Sequence, residues 1–252
     1  PKQYEYGYAP SPVLYRDMLI IAAEYDGPSY LTALNRRTGE PVWRTPRTTG
    51  ITFSTPSINT VDGRDLLTIS GHDQVACYDP ATGRLLWSVE GTTAATCGTT
   101  VWDGDLIFAS GGYPKAETLA IRATGQGQVL WKNGQKCYEE SMLAYRGYLY
   151  ALTGKGVLYC FQGNDGRQMW QRRLRGPVSA SPVLAGGHIY WANEHGTMYV
   201  FKLETRACEL VAENQLGDEA FASPAVSGNQ LFLRVAAHVG DSRQEYLYCI
   251  GN

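Results

Sequence analysis

The feature that most constrains this chain is a short turn followed by a tryptophan, which returns four times at nearly constant spacing. Each copy runs from a glycine to a tryptophan four residues later: Gly39 and Trp43, Gly83 and Trp87, Gly127 and Trp131, Gly166 and Trp170. Successive tryptophans are 44, 44 and 39 positions apart, and a fifth, degenerate copy ends at Leu210. Self-similarity at a period of about 40 residues indicates a repeat architecture.

Each copy of the motif has the pattern of a β-hairpin. An apolar run such as Val75-Ala76-Cys77-Tyr78 precedes the glycine, which suits a tight turn because it tolerates positive φ. The other half of each repeat begins with a segment such as Ser181-Pro182-Val183 and continues through a second polar turn into another apolar run. One repeat therefore predicts four antiparallel strands.

Four strands in about 42 residues are typical of one propeller blade. We therefore predict an all-β fold, a β-propeller of four-stranded antiparallel blades, with six repeats in a single domain spanning residues 1–252. The alternative, two stacked β-sandwiches, does not explain a tryptophan at one turn-relative position. The predicted repeats are approximately 8–47, 51–90, 95–134, 138–174, 178–214 and 220–252.

The repeated tryptophans and glycines have a structural interpretation. A large ring near the outer edge of a blade fills the gap between twisted sheets and contacts the next blade, with its N–H donated to a nearby carbonyl. The alternative is that the rings stack on a cofactor, but equivalent positions around a ring cannot all face one central molecule. We therefore assign blade docking to Trp43, Trp87, Trp131, Trp170, Gly39, Gly83, Gly127 and Gly166.

Three of the six cysteines recur at one repeat position: Cys77, Cys160 and Cys249. No pair has the Cys-x-x-Cys spacing of redox or zinc motifs. A cysteine that returns once per blade is predicted to be a small buried core residue, rather than a disulfide partner or a metal ligand.

Charge and hydropathy exclude some partners. Lys plus Arg number 22 against 24 Asp plus Glu, and the longest basic run is Arg172-Arg173, so no nucleic-acid partner is expected. No stretch approaches 18 apolar residues, so no transmembrane segment is expected. The chain begins at Pro1 without Met, which is compatible with the removal of an N-terminal leader. We therefore predict a periplasmic or other extracytoplasmic location.

The segment from Ala76 to Trp87 resembles the docking motif of PQQ-like (quinoprotein-type) repeat proteins, and Ser-Pro-Val at the first strand adds to that resemblance. The family includes quinoprotein dehydrogenases, a bacterial outer-membrane assembly lipoprotein and many cofactor-free propellers. Members often have eight blades. The sixth repeat stops before its turn and tryptophan, so either Gln3 to Tyr8 supplies its outer strand or the six repeats belong to an eight-bladed ring.

The resemblance also raises an enzymatic alternative. Quinoprotein dehydrogenases of this family hold PQQ with calcium in a central funnel, use an Asp as general base and often carry a disulfide between adjacent cysteines. This chain has no adjacent cysteine pair and no evident Glu, Asn and Asp set on the predicted funnel strands. We therefore predict no catalytic residues and no cofactor, with a PQQ-dependent dehydrogenase as the alternative.

The polar loops between second and third strands, which include Glu24-Tyr25-Asp26, are expected on one face of a propeller. The histidines there are predicted to be solvated, with Glu194, His195 and His238 from neighbouring repeats as the alternative metal site. Glu139 and Glu140 are predicted at a solvated channel entrance, with a paired carboxylate site as the alternative. The candidate binding face comprises His72, Tyr113, Glu139, Glu140, Glu194, His195, Phe221 and His238.

From these patterns we predict a non-catalytic propeller whose loop face binds a protein or peptide, because exposed aromatic side chains are favoured interface anchors. Carbohydrate binding through Tyr113 or Phe221 is a further alternative. Fold alone does not decide among these functions.

Overall fold

The computed structural model describes residues 8–25 and 27–251, which form 23 β-strands. Asp26 and residues 3–7 of the predicted closing strand lie outside the described residues. Every strand pairs antiparallel with its sequence neighbour in its sheet. Within the described part, no helix is long and apolar enough to cross a membrane. The chain divides into two compact units, residues 1–138 with 164–166 and residues 139–163 with 167–252.

The first unit contains three four-stranded sheets. The first sheet has the order β1 (Val13–Tyr15), β2 (Met18–Ala23), β3 (Tyr30–Asn35), β4 (Pro41–Pro46). The second has the order β5 (Ser57–Val61), β6 (Arg64–Gly71), β7 (Gln74–Tyr78), β8 (Leu85–Glu90). The third has the order β9 (Val101–Asp103), β10 (Leu106–Gly111), β11 (Glu117–Arg122), β12 (Gln128–Asn133).

The second unit contains two four-stranded sheets and one three-stranded sheet. The fourth sheet has the order β13 (Leu143–Tyr145), β14 (Tyr148–Thr153), β15 (Val157–Gln162), β16 (Gln168–Arg173). The fifth has the order β17 (Val183–Ala185), β18 (His188–Ala192), β19 (Thr197–Lys202), β20 (Glu209–Gln215). The sixth has the order β21 (Ala225–Ser227), β22 (Gln230–Val239), β23 (Ser242–Ile250).

The turn before each tryptophan strand is built by side chains as well as by glycine. In the second sheet, Gly83 has φ +70 and donates its N–H to the Asp79 carbonyl at 2.8 Å. The Asp79 carboxylate accepts the N–H of Ala81 at 2.9 Å. The hairpin therefore closes through an Asp that binds its own backbone and a glycine that needs no Cβ in the left-handed region.

A β-bulge follows each of these turns and sets which residue the tryptophan faces. Trp43, Trp87, Trp131 and Trp170 lie opposite Ala33, Cys77, Ala120 and Cys160. In the fifth sheet the residue at this place is Ala212, opposite Val200, while Leu210 lies opposite Phe201. The sequence assignment of Leu210 to the tryptophan position is therefore wrong by two residues, because the turn of the fifth repeat is longer.

The tryptophans of the first unit contact the turn glycine of the following repeat. A Cβ added to Gly127 would lie 2.6 Å from the Trp87 ring, and one added to Gly166 would lie 2.6 Å from the Trp131 ring. Gly83 meets Trp43 in the same way, and Trp43 Nε1 donates to the Pro80 carbonyl at 3.2 Å. Around Gly39, by contrast, no described atom lies within 4 Å of an added Cβ.

The buried core of each unit lies between successive sheets. In the first unit, Trp87 packs with Val75, Ile107 and Leu119 from the second and third sheets. In the second unit, Tyr150 and Leu158 of the fourth sheet pack with Trp191 of the fifth. The side-chain Nε1 of Trp170 is buried without a hydrogen-bond acceptor among the described residues, which differs from the arrangement at Trp43.

The cysteine prediction holds at two of three positions. Cys77 and Cys160 are fully buried, each facing a tryptophan on a fourth strand, and all six cysteines are free. Cys249 is exposed, so the prediction is wrong there. It lies on β23, the last strand of its three-stranded sheet, and among the described residues no fourth strand pairs with β23.

A hydroxyl shortly before the first strand links consecutive repeats at three places. Ser141 donates its backbone N–H to Ser181 Oγ at 2.8 Å, and Ser181 does the same to Ser223 Oγ at 2.9 Å. In the first unit the Ser11 N–H donates to Thr55 Oγ1 at 2.9 Å. The Ser or Thr of the Ser-Pro segments therefore accepts the N–H of its counterpart one repeat earlier.

Candidate functional site

The residues predicted to form one binding face are distributed over both units. His72 and Tyr113 belong to the first unit, and the other six belong to the second: Glu139, Glu140, Glu194, His195, Phe221 and His238. Two separate groups of loops must therefore be considered. Tyr113 and Phe221, the two aromatic residues of the alternative in which the protein binds carbohydrate, belong to different units.

In the second unit, Glu194 ties together the loops of the fifth and sixth repeats. It lies in the turn between β18 and β19, and its Oε1 accepts a hydrogen bond from Ser179 Oγ at 2.6 Å. Its backbone N–H donates to the Pro177 carbonyl at 3.0 Å, and its own carbonyl accepts the N–H of Ala220 at 3.2 Å. These bonds hold the loops before β17 and β21 beside the same turn.

Phe221 follows Ala220 directly and is 53% exposed. Ser179 and Phe221 hold the same repeat position, three residues before Pro182 and Pro224. Glu139, which is also exposed, lies three residues before Met142 at the corresponding place. Three consecutive repeats thus present different groups at this one position, which lies at one end of their sheets. The groups are the Glu139 carboxylate, the Ser179 hydroxyl and the Phe221 ring.

His195 and His238, the two loop histidines of this unit, are at the surface, as predicted. His195 is exposed, and His238 is half-exposed. His238 Nδ1 lies 3.6 Å from Asp218 Oδ2 and Nε2 lies 3.8 Å from Glu219 Oε1, so the two ring nitrogens face different carboxylates. Among the described residues, no three His, Cys, Asp or Glu side chains are grouped to hold a metal ion. The metal alternative for Glu194, His195 and His238 has no support in this geometry.

Glu140 does not join Glu139 at the surface. Glu140 is 1% exposed, whereas Glu139 is exposed, so the prediction of a solvated pair is wrong for Glu140. Consecutive residues of an extended segment point to opposite sides. The equivalent residues of the second and fifth repeats, Ser54 and Ala180, are also fully buried.

His72 is likewise not a solvated rim residue. Its side chain is 6% exposed and its Nε2 lies 3.3 Å from Glu24 Oε2, while the other carboxylate oxygen of Glu24 accepts a hydrogen bond from Arg47 Nε. Arg47 Nη1 donates to the Tyr78 hydroxyl at 2.6 Å. Glu24 and Arg47 come from the first repeat and His72 and Tyr78 from the second, so this group joins the two repeats inside the first unit.

Burial and charge act in opposite directions on this group. Burial disfavours the charged guanidinium of Arg47, but Glu24 and Tyr78 together outweigh burial, so the pKa of Arg47 is raised. Burial raises the pKa of the Tyr78 hydroxyl, so it stays protonated. An ion pair with almost no solvent exposure needs both partners, because either charge alone would be left unpaired in a poorly solvated site.

The sequence analysis missed this group because it treated Glu24 and His72 as separate loop residues. In each repeat, one residue of the second strand pairs with the third-strand residue that lies opposite the tryptophan. This second-strand residue is Ile20 in the first repeat and Thr68 in the second. Glu24 and His72 each follow it by four positions. An acid and a histidine at one position of adjacent repeats was the signal available in the sequence.

Tyr113 is half-exposed and lies in the loop after β10, with a cis bond to Pro114. Its carbonyl accepts the N–H of Ala95 at 3.2 Å, and its N–H donates to Thr93 Oγ1 at 3.3 Å. The loop therefore holds the ring of Tyr113 at the surface of the first unit.

The family assignment follows from comparison with known proteins. A family model described as outer membrane protein assembly factor BamB matches residues 27–137 and 115–232, which together span well over half of the chain. The chain belongs to the BamB family. The predicted resemblance to PQQ-like repeat proteins is thereby confirmed.

A curated BamB from Legionella pneumophila is 27% identical over 165 residues, which cover 60% of this chain and 41% of that protein. The chain thus spans less than half the length of this BamB. Among solved structures, BamB from Moraxella catarrhalis matches with a TM-score of 0.70 at 15% identity, covering 89% of this chain and 68% of that one.

A europium-containing methanol dehydrogenase matches with a TM-score of 0.54 at 12% identity, covering 92% of this chain and 73% of that one. At such low sequence identity, the two structural matches support a shared fold and nothing more. They confirm that this BamB-family chain is an all-β propeller with four-stranded blades.

Proposed function

We propose that this chain is a non-catalytic scaffold that binds a protein or peptide partner during the assembly of outer membrane proteins, in the periplasm. The family description supports the process, since the relatives are named as outer membrane protein assembly factors. The proposal needs no cofactor and no catalytic residue.

The observation that carries the proposal is the loop group around Glu194. Three hydrogen bonds fix this turn to the loops on either side, and Phe221 projects from one of those loops with half of its surface exposed. An exposed aromatic on a rigid support can bind a partner at low entropic cost, because little ordering remains to be done on association. Asp218 and Glu219 precede Phe221 in the same loop, and Arg243 pairs with Glu219. The remaining carboxylate, Asp218, favours a partner segment carrying Lys or Arg.

The test uses the bacterium that carries the gene. Phe221→Ala in the otherwise intact gene is expected to reduce the amount of folded outer membrane protein, measured by heat-dependent mobility on gels. Val211→Ala is the matched control, since Val211 is an equally exposed apolar residue on β20 of the same unit. If deletion of the whole gene leaves folded outer membrane proteins unchanged, the proposed process is wrong. If deletion lowers them but Phe221→Ala does not, the loop face is not the binding site.

A further inference from the structure

A pocket between the second and third repeats contains an indole N–H that has no acceptor. The pocket has a volume of about 220 Å³, and Trp87 in its wall is 6% exposed. Trp87 Nε1 donates to no acceptor among the described residues, and unlike Trp170 Nε1 it is not sealed from solvent. A largely buried side chain therefore presents a free hydrogen-bond donor to this pocket.

Comparison with the first pair of repeats shows which acceptor is lacking. Trp43 Nε1 donates to the carbonyl of Pro80, in the turn of the following repeat. In the turn that follows Trp87, the counterparts of Pro80 are Ala123, counted from the strand before the turn, and Thr124, counted from the turn glycine. Both residues line the pocket, and neither accepts the indole N–H.

The length of the third turn explains the difference. Eleven positions separate Ala120 from the facing Trp131, whereas ten separate Cys77 from the facing Trp87. The third repeat therefore has one more residue in the turn that packs on the second repeat. We attribute the open space beside Trp87 to this extra residue.

An arginine without an ion-pair partner lies at the same pocket. Arg64 is one of the lining residues, and none of the described carboxylates pairs with it. Burial raises the pKa of Cys77 to about 12, while the charge of Arg64 acts in the opposite direction. The guanidinium is therefore within electrostatic reach of the strand that faces Trp87. Asp62, which is exposed, is the one carboxylate among the lining residues.

The remaining surface of the pocket is mostly apolar. Its apolar side chains, which also belong to the core of the first unit, are Val61, Leu66, Leu86 and Ala123. An apolar cavity of about 150 Å³ holds a benzene ring. The pocket is therefore large enough for one ring with a short carboxylate chain.

We propose that this pocket binds a small apolar monocarboxylate. The ring or alkyl chain of the ligand lies on the apolar side chains, and its carboxylate accepts the Trp87 N–H and pairs with Arg64. Such a ligand contacts two consecutive repeats and stabilises the folded chain when it binds. This inference goes beyond the proposed function and does not depend on it, since the Glu194 loops belong to the other unit.

The test follows the indole N–H signals of the purified, ¹⁵N-labelled 252-residue chain by NMR, with hydrocinnamate as the probe. Trp87→Phe and Trp43→Phe identify the two signals that matter. Hydrocinnamate is expected to shift the Trp87 signal saturably, with half-saturation at or below about 1 mM. The Trp43 signal is the internal control and is expected to stay in place, because its N–H is already bonded to Pro80.

The charge requirement is tested with a neutral ligand and with variants. Hydrocinnamide, which lacks the carboxylate, is expected to bind at least about tenfold more weakly. Arg64→Gln is expected to weaken hydrocinnamate binding about tenfold or more. Arg84→Gln, at an exposed arginine of the same repeat that does not line the pocket, is the matched control and is expected to leave binding unchanged. Asp62→Asn is expected to strengthen binding, because it removes the opposing charge.

Three outcomes overturn the proposal. The first is no saturable shift of the Trp87 signal up to about 10 mM hydrocinnamate, which would mean that the pocket holds water only. The second is equal affinity for the acid and the amide, which would mean that the site does not recognise a negative charge. The third is unchanged affinity in Arg64→Gln. Because Arg64 is exposed, this variant is expected to fold, as checked by circular dichroism, and it decides the question even if Trp87→Phe unfolds.

Discussion

The indole ring of Trp87 lies against Gly127 of the following repeat, so closely that a β-carbon on the glycine would come within 2.6 Å of it. The glycine has φ +75, and it therefore serves two purposes at once. It allows the turn, and it leaves room for the neighbouring ring. The tryptophan of each repeat in the first unit thus packs against the turn glycine of the next repeat.

Gly127→Ala is expected to destabilise the protein more than Gly39→Ala. Both glycines occupy the same turn position with nearly equal φ, so each substitution costs about 1–2 kcal/mol of backbone strain. Only Gly127 meets a tryptophan, which adds about 1–3 kcal/mol of overpacking. Urea unfolding of the two variants measures the difference, and equal losses would contradict docking of Trp87 on this turn.

Removal of Arg47 is expected to be strongly destabilising. Arg47→Met leaves the buried Glu24 carboxylate without its main partner, which costs about 3–5 kcal/mol. The double variant Glu24→Gln with Arg47→Met is expected to recover a large part of that loss, since no unpaired charge remains. The matched control is Arg122→Met, which breaks the exposed pair with Asp105 and is expected to cost at most about 1 kcal/mol. A single variant no worse than this control would contradict a fastening role.

The thiols are expected to react in the order of their burial. Burial raises the pKa of Cys77 and of Cys160 to about 12, so neither forms a thiolate near neutral pH. Cys249 is exposed and is expected to be alkylated first at pH 8, as followed by mass spectrometry of peptides. Rapid labelling of Cys77 in the native protein would show that the second sheet opens locally.

The same two thiols give a pH dependence at the alkaline end. In the unfolded chain a thiol ionises near its ordinary pKa of about 8.5, whereas in the folded chain it keeps its proton up to about 12. The folded state therefore binds more protons between these values, and stability falls as pH rises. The contribution is fully present below about pH 8.5 and is lost toward pH 12. Double substitution of Cys77 and Cys160 by Ala is expected to flatten this part of the stability profile.

Loss of one inter-repeat hydroxyl is expected to have a smaller effect. Ser181→Ala removes the acceptor for the Ser141 N–H, which costs about 1 kcal/mol when the donor finds no other partner. Ser227→Ala, at an exposed serine on β21, is the control and is expected to change stability very little. Thermal unfolding monitored by circular dichroism compares the two variants.

The repeat architecture was accessible from the sequence because its signals are local. An apolar run followed by a polar turn with glycine and then by a tryptophan predicts a hairpin, and the spacing of the copies predicts the blades. Leu210 was placed wrongly because the fifth turn lacks the glycine and is two residues longer, and only strand pairing with Val200 shows that Ala212 takes the tryptophan position.

The candidate sites were less accessible because they depend on contacts between repeats. The segment Gly71-His72-Asp73 has the composition of a surface turn, and nothing within it indicates that His72 lies beside the Glu24 carboxylate, which also binds Arg47. Glu140 was misplaced for a related reason: whether an extended residue faces inward depends on the phase of the strand. Exposure of His195 and His238 was predicted correctly because both residues lie in polar turns, from which the side chains reach solvent.

Glu24 and His72 hold the same position in consecutive repeats, and their side chains meet. Any two residues so related are neighbours across the interface of two sheets, even though nearly fifty positions separate them along the chain. Duplication of an ancestral blade would therefore have created a set of positions whose side chains are already paired. Two point mutations at such a pair are enough to produce an ion pair, a hydrogen bond or a ligand contact. The same property offers a protein engineer a predictable place to introduce a paired site without redesigning the backbone.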